Sequence, residues 1–269
     1  MSELLVADSF RVRQNPSSGV AEVRGWQYHL DRFAGAAASA LAELDERPSE
    51  TVDDFVLGAA ERVNAFGEGF PRLELWLDPD GTVRWGLSER PLPALTGEVE
   101  LRSIPLADVE GLAHLDRKGP NLERYLELNH EVGAEALLLD AEGHVVEGAT
   151  TSLVWWDATG LGHRAASADR VASVTEGLVA EAAPHQLPAS GSTGAAAKPH
   201  EPARSSARPT ELAACEVWAV NALHGIRVVS HIDGAATREP EPKRLDWFRA
   251  VLDHSWEPVL LDGRASGAW

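Results

Sequence analysis

The stretch LELWLDPDGTVRWGL, residues 73–87, constrains the fold of this chain more than any other. Two apolar and aromatic runs flank Pro79, Asp80 and Gly81, which is turn chemistry, so the stretch predicts an antiparallel hairpin. EALLLDAEGHVVEG (135–148) repeats the pattern around a Glu-Gly turn. Elsewhere the apolar period lengthens to that of a helix: HLDRFAGAAASALAEL (29–44) and then residues 51–66 place apolar side chains at helical spacing. Hairpins interleaved with helices indicate a mixed α/β chain.

The remaining elements follow from the same two periods. Strands are expected at 3–9, 20–28, 98–106, 152–157, 215–223 and 226–232. Pro120 and Asn121 open a helix through about 131, with Leu122, Tyr125, Leu126 and Val132 on one face, and further helices are expected at 173–183 and 241–253. PHQLPASGSTGAAAKPHEPARSSARPT, 184–210, is rich in Pro, Ala, Gly and Ser and carries almost nothing to bury; it reads as a flexible surface insertion.

At 269 residues and 28.9 kDa the chain suits one large domain or two modest ones. No apolar run approaches the roughly 20 residues of a membrane span, and MSELLVADSFRVRQ lacks the pattern of a secretion signal. Cys215 stands alone, which excludes an internal disulfide and a cysteine-rich metal site and suits a reducing cytoplasm. A net charge of −18 argues against nucleic acid or an anionic membrane as partner, since phosphate contacts need clustered cations. Histidine spacing suggests no metal site, and no glycine-rich nucleotide loop is present.

Of 24 basic residues, 21 are arginines and three are lysines: Lys118, Lys198 and Lys243. An arginine stays protonated at working pH, whereas a lysine amine can lose its proton and act as a nucleophile. Lys198 falls in the Pro/Ala/Gly/Ser-rich stretch and Lys243 on a polar helix, so Lys118, in AHLDRKGPNLERY, is the lysine flanked by ordered structure on both sides.

Other stretches align with it. Arg32 in HLDRF, Lys118 in KGPN, Glu147 closing GAEALLLDAEGHVVEG, the SVT of 173–175 and the NAL of 221–223 occur in an order that resembles the fold-type IV pyridoxal-phosphate enzymes, the class IV aminotransferase family. The resemblance runs from about Asp8 to about Gly234, and VWAVNALHGIRVV resembles the 4-amino-4-deoxychorismate lyase branch most. It implies two α/β domains with the cofactor between them: a smaller one at 1–112, a linker at 113–117 and a larger one at 118–269. It also implies a homodimer acting on a small-molecule substrate.

By the same resemblance, Lys118 carries pyridoxal 5'-phosphate covalently and moves protons, and Glu147 faces the pyridine nitrogen. Ser173, Val174 and Thr175 at a helix start, Arg32, Asn221 and Ala222 hold the phosphate. His224 and Arg227 lie beside the site, where Arg227 can meet a substrate carboxylate, and Trp155 and Trp156 can shape the pocket. Each residue also has an ordinary reading. An acid before Gly148 can end a strand, Ser173 can cap a helix, and Arg32 can be a solvated charge. The reaction implied first is conversion of 4-amino-4-deoxychorismate to 4-aminobenzoate and pyruvate. The alternatives are transamination of a branched-chain or D-amino acid, and a catalytically impaired relative.

Three positions depart from the family pattern. The spacing from Lys118 to Glu135 is about one helical turn short, and counting back from Glu135 puts Ala113, in LAHLDR, where the lysine belongs; KGPN itself favours Lys118. TTSL (150–153) lacks the asparagine usual there, and SVTE has Glu176 in place of an arginine.

Overall fold

The turn at Pro79–Gly81 closes its hairpin through an Asp78 N–H bond to the Thr82 carbonyl at 2.9 Å and a Gly81 N–H bond to the Asp78 carbonyl at 2.9 Å. The computed structural model describes residues 2–44, 46–186 and 201–259. Their elements run β1 (Glu3–Ser9), β2 (Val12–Gln14), β3 (Ala21–Arg24), α1 (Trp26–Ala42), α2 (Val52–Phe66), β4 (Arg72–Leu77), β5 (Val83–Ser88) and β6 (Glu98–Pro105). Next come α3 (Leu122–Val132), β7 (Glu135–Leu139), β8 (Val145–Gly148), β9 (Ser152–Trp156), β10 (Gly162–Ala165) and α4 (Val174–Ala182). The order ends with β11 (Ala203–Ser205), α5 (Pro209–Leu212), β12 (Glu216–Asn221), β13 (Gly225–Ile232), β14 (Ala235–Ala236), α6 (Pro242–His254) and β15 (Trp256–Pro258).

These elements form two compact units, and the chain passes between them more than once. The first takes Met1–Ala94, Arg117–Asn121 and Ser255–Trp269; the second takes Leu95–Asp116 and Leu122–His254. The division differs from a single cut at 113–117 for a pairing reason. β6 bonds in parallel to β13 and β7 and so joins the second unit, while β15 bonds to β3 and returns the chain to the first.

In the first unit β4 lies between β1 and β5, and β3 lies between β15 and β2. α1 and α2 supply one wall of its core, where Phe33, Ala37, Phe55 and Val63 meet Leu73, Leu75 and Val12. Burying each large aliphatic or aromatic side chain there contributes about 1.5–3 kcal/mol. The helix expected from residue 29 begins three residues earlier, at Trp26, and the strand before it stops at Arg24. Gly25 is the cause: its φ of 63° breaks the extended run and starts the helix. Thr51 opens α2 by accepting the Asp54 N–H on its hydroxyl at 3.2 Å.

The second unit is a nine-stranded sheet ordered β11-β10-β9-β12-β13-β6-β7-β8, with β14 on β13. Its middle strands bury both faces, following the two-residue period of an extended chain. Val217 and Ala219 enter one core and Trp218 and Val220 another, where Val179 of α4 and Phe248 of α6 cover them. α3 covers β7 with Tyr125 and Leu128, against Ala136 and Leu138. Leu126, expected on the buried face, is 56% exposed, because Leu128 is the residue one turn from Tyr125 on the face that meets β7.

The flexible insertion expected at 184–210 is ordered at its far end. β11 pairs in parallel with β10, the Val145 N–H bonds the Ala207 carbonyl at 2.8 Å, and α5 buries Leu212. Residues 187–200, with Lys198, lie outside the described residues.

Candidate functional site

In the first unit the Lys118 segment is fixed through its backbone. The Ala7 N–H, on β1, donates to the Lys118 carbonyl at 2.7 Å. Gly119 lies so close to β1 that a Cβ on it would sit 2.6 Å from the Ala7 nitrogen and 2.8 Å from the Val6 carbonyl carbon, and its φ is 136°. Glycine is therefore required after the lysine for two independent reasons, contact and backbone angle. Arg117 anchors the start of the segment on Glu43 at 2.5 Å.

Beside that segment Asp8 is fully buried and accepts three bonds. Arg32 brings Nε to Oδ2 at 2.7 Å and Nη2 to Oδ1 at 2.9 Å, and His29 brings Nδ1 to Oδ1 at 2.6 Å. Burial alone would raise the Asp8 pKa. The charges and bonds of Arg32 and His29 overcome it and hold the carboxyl far below the ordinary range. An ionised Asp8 only accepts, so His29 Nδ1 carries the hydrogen of that bond. Burial pushes the His29 pKa down and Asp8 pulls it up; the cations of Arg32 and Lys118 add to the depression, which prevails. The guanidinium fork that the family resemblance would put on a phosphate bonds Asp8 through Nε and Nη2.

In the second unit Glu147 sits near the end of β8 with its side chain 6% exposed. Its charge helps to raise the pKa of Arg170, which is itself buried. Arg170 forks onto Glu176, Nη1 to Oε2 at 2.6 Å and Nη2 to Oε1 at 2.7 Å, and Arg164 adds a third cation contact to Glu176 at 3.7 Å. The glutamate that departs from the family pattern is therefore not stranded at the head of α4. Ser173 caps that helix by accepting the Glu176 N–H at 3.2 Å, the ordinary role that its residue type allows. Val174 and Thr175 are buried in the first turn.

Asn221 organises the turn after β12. Its Oδ1 accepts the N–H groups of Leu223 at 3.2 Å and His224 at 2.8 Å, and its Nδ2 donates to the Thr150 carbonyl at 3.3 Å. Ala222 lies within that turn. His224 Nδ1 accepts the Thr96 N–H at 3.2 Å. Arg227, expected to meet a substrate carboxylate, is buried and directs Nη2 to Glu135 Oε2 at 3.3 Å. Both paired tryptophans are buried, on opposite faces of the sheet. Trp155 stacks on His163 in one core, and Trp156 packs on Trp218 and Phe248 in the other.

Glu147, the α4 start and the Asn221 turn thus share the second unit, while Lys118 and Arg32 share the first. Asp8, His29, Glu135 and Arg170 did not stand out from the sequence. Asp8 meets Arg32, 24 positions away, and His29, 21 away, and Glu135 meets Arg227, 92 away, whereas Arg170–Glu176 and Asn129–Glu135 are each six apart, near enough for local spacing to hint at them.

No protein-family model matches the chain, and no curated protein sequence does. Solved structures match it over nearly its whole length. A branched-chain amino acid aminotransferase from Thermobaculum terrenum, in its pyridoxal-phosphate form, superposes with a TM-score of 0.73 at 16% identity, over 95% of this chain and 89% of that one. A branched-chain aminotransferase from Thermoproteus uzoniensis, solved with norvaline, gives 0.71 at 20% identity, over 95% and 90%. A Legionella pneumophila protein provisionally assigned as a 4-amino-4-deoxychorismate lyase gives 0.70 at 16% identity, over 93% and 90%. The chain therefore has the fold of the fold-type IV aminotransferases, the architecture that the order of its motifs resembles.

Proposed function

We propose that this chain is a pyridoxal-phosphate enzyme of the class IV kind, a lyase that releases 4-aminobenzoate and pyruvate from 4-amino-4-deoxychorismate. The observation that carries the reading is Glu147, a buried carboxylate near the end of β8 in a unit that also presents a helix start and a capped turn, within this fold. The donor set suits the cofactor: an amine, a buried acid and the backbone amides at the start of α4. Arg32 suits it less well, since its fork already engages Asp8.

When bound, the cofactor supplies an electron sink that stabilises negative charge on a substrate carbon. Lys118 would provide the amine that holds the cofactor, and its Nζ would serve as the base that moves a proton. Glu147 offers a carboxylate to the ring nitrogen, and its burial strengthens that pairing by excluding water. The first-turn amides of α4 at Val174 and Thr175, with the Asn221–Ala222 turn, meet the phosphate. The protein works as a cytoplasmic homodimer.

Transamination of an amino acid is the second reading, supported by the aminotransferases among the structures of like fold. The test begins with absorbance spectra with and without pyridoxal phosphate, then borohydride reduction and peptide mass mapping. A visible band and a label on Lys118 are expected, and their joint absence refutes the reading in favour of a catalytically impaired relative. Release of 4-aminobenzoate supports the lyase; turnover of 2-oxoglutarate or pyruvate by the pyridoxamine form, without aromatic product, supports transamination. Light scattering checks the dimer.

A further inference from the structure

Glu135 opens β7 with its carboxylate buried, and donors from three separate segments converge on it. The Thr150 N–H donates to Oε1 at 2.6 Å, and the Thr150 hydroxyl reaches Oε1 at 2.9 Å and Oε2 at 3.0 Å. The Thr151 hydroxyl reaches Oε1 at 3.2 Å, Asn129 Nδ2 of α3 reaches Oε2 at 3.3 Å, and Arg227 Nη2 of β13 reaches Oε2 at 3.3 Å. So many donors on one buried carboxylate make it a hub, because removing it strands each of them.

What the hub braces gives it a role beyond packing. The turn from Gly148 to Thr151 is closed by the Gly148 N–H on the Thr151 carbonyl at 2.8 Å and the Thr151 N–H on the Gly148 carbonyl at 3.2 Å, directly after Glu147. A Cβ at Gly148 would meet the Thr151 hydroxyl at 2.3 Å and Glu135 Oε1 at 3.1 Å, so any side chain there must displace the groups that form the brace. Thr150 extends the brace, because its carbonyl holds Asn221 Nδ2 and Asn221 in turn caps the loop after β12. One carboxylate therefore sets two places at once, the strand end that presents Glu147 and the loop of Asn221 and Ala222. The two threonines of TTSL do the tying.

We propose that Glu135 is a positioning residue that locks Glu147 and the Asn221–Ala222 loop into one geometry through Thr150, with Arg227 as its counter-ion and not as a ligand of substrate. The inference rests on the reading that Glu147 and that loop face pyridoxal phosphate. A merely structural glutamate would change stability alone. A positioning one changes cofactor affinity and the absorbance maximum of the bound cofactor in folded protein.

The test measures pyridoxal-phosphate affinity and absorbance in the full chain for Glu135→Gln, Thr150→Val, Thr150→Ser and the Glu135→Gln/Thr150→Val double variant. Glu135→Gln should weaken binding about ten- to hundredfold, the scale of a lost charged hydrogen-bond partner. Thr150→Val should weaken it about threefold to tenfold, Thr150→Ser should restore it, and the double variant should match Glu135→Gln alone. If Glu135→Gln does not fold, the Thr150 pair decides. Folded variants with wild-type affinity, or strictly additive losses, overturn the proposal. Wild-type protein that never binds the cofactor refutes the proposed function itself and takes this inference with it; wild-type binding with unchanged variants refutes the inference alone.

Discussion

Replacing Gly119 by alanine tests whether the Lys118 segment is built onto β1 as described. The added Cβ would lie 2.6 Å from the Ala7 nitrogen, 2.8 Å from the Val6 carbonyl carbon and 2.9 Å from the Val6 Cα, all backbone atoms of a paired strand that cannot swing aside. The φ of 136° adds a strain that a Cβ makes worse. Backbone strain of this kind costs about 1–3 kcal/mol, and overpacking against fixed atoms costs about 1–3 kcal/mol more. The variant should therefore lose about 2–6 kcal/mol, and in a chain of this size each kcal/mol lowers Tm by about 2–4 °C. Gly35→Ala is the matched control, since Gly35 lies inside α1 with nothing within 4 Å of its Cβ position. It should be neutral or stabilising by up to about 1 kcal/mol. Calorimetry on both variants reads the difference. Gly119→Ala melting with the wild type would mean that the segment does not press on β1, and the placement of Lys118 would fall with it.

Two further outcomes follow from the first unit. Thr51→Ala removes the oxygen that caps α2 and should cost about 0.5–2 kcal/mol in urea unfolding, with Thr51→Ser near wild type. His29 should titrate below the ordinary imidazole value, which 15N shifts of the ring across a pH series report directly, a midpoint at or above 6.5 contradicting the burial argument. Because its folded pKa lies below the unfolded 6.5, the folded state binds fewer protons. Its contribution is full above about pH 6.5 and is lost as pH falls below that value, so His29→Gln should flatten that part of the stability profile.

The sequence alone determined what nearest neighbours decide. Turn residues between apolar runs made both hairpins, helical spacing made α1, α2, α4 and α6, and Gly119 beside Lys118 is a local signature whose meaning is tertiary. The order of five short motifs pointed to the fold that solved structures share with this chain at 16–20% identity. Charge was not legible in this way. A carboxylate or guanidinium looks alike in sequence whether it meets water, a ligand or another side chain, and Arg32 and Arg227 each meet an acidic partner, 24 and 92 positions away, that only folding brings near. Leu126 and Leu128 show the same limit for apolar residues, since which of two helix faces is covered depends on where β7 lies. Local propensity fixes elements because its interactions span a few residues; buried polar pairs such as Arg32–Asp8 and Arg227–Glu135 span tens of residues, and only the packed chain pairs those donors with their acceptors.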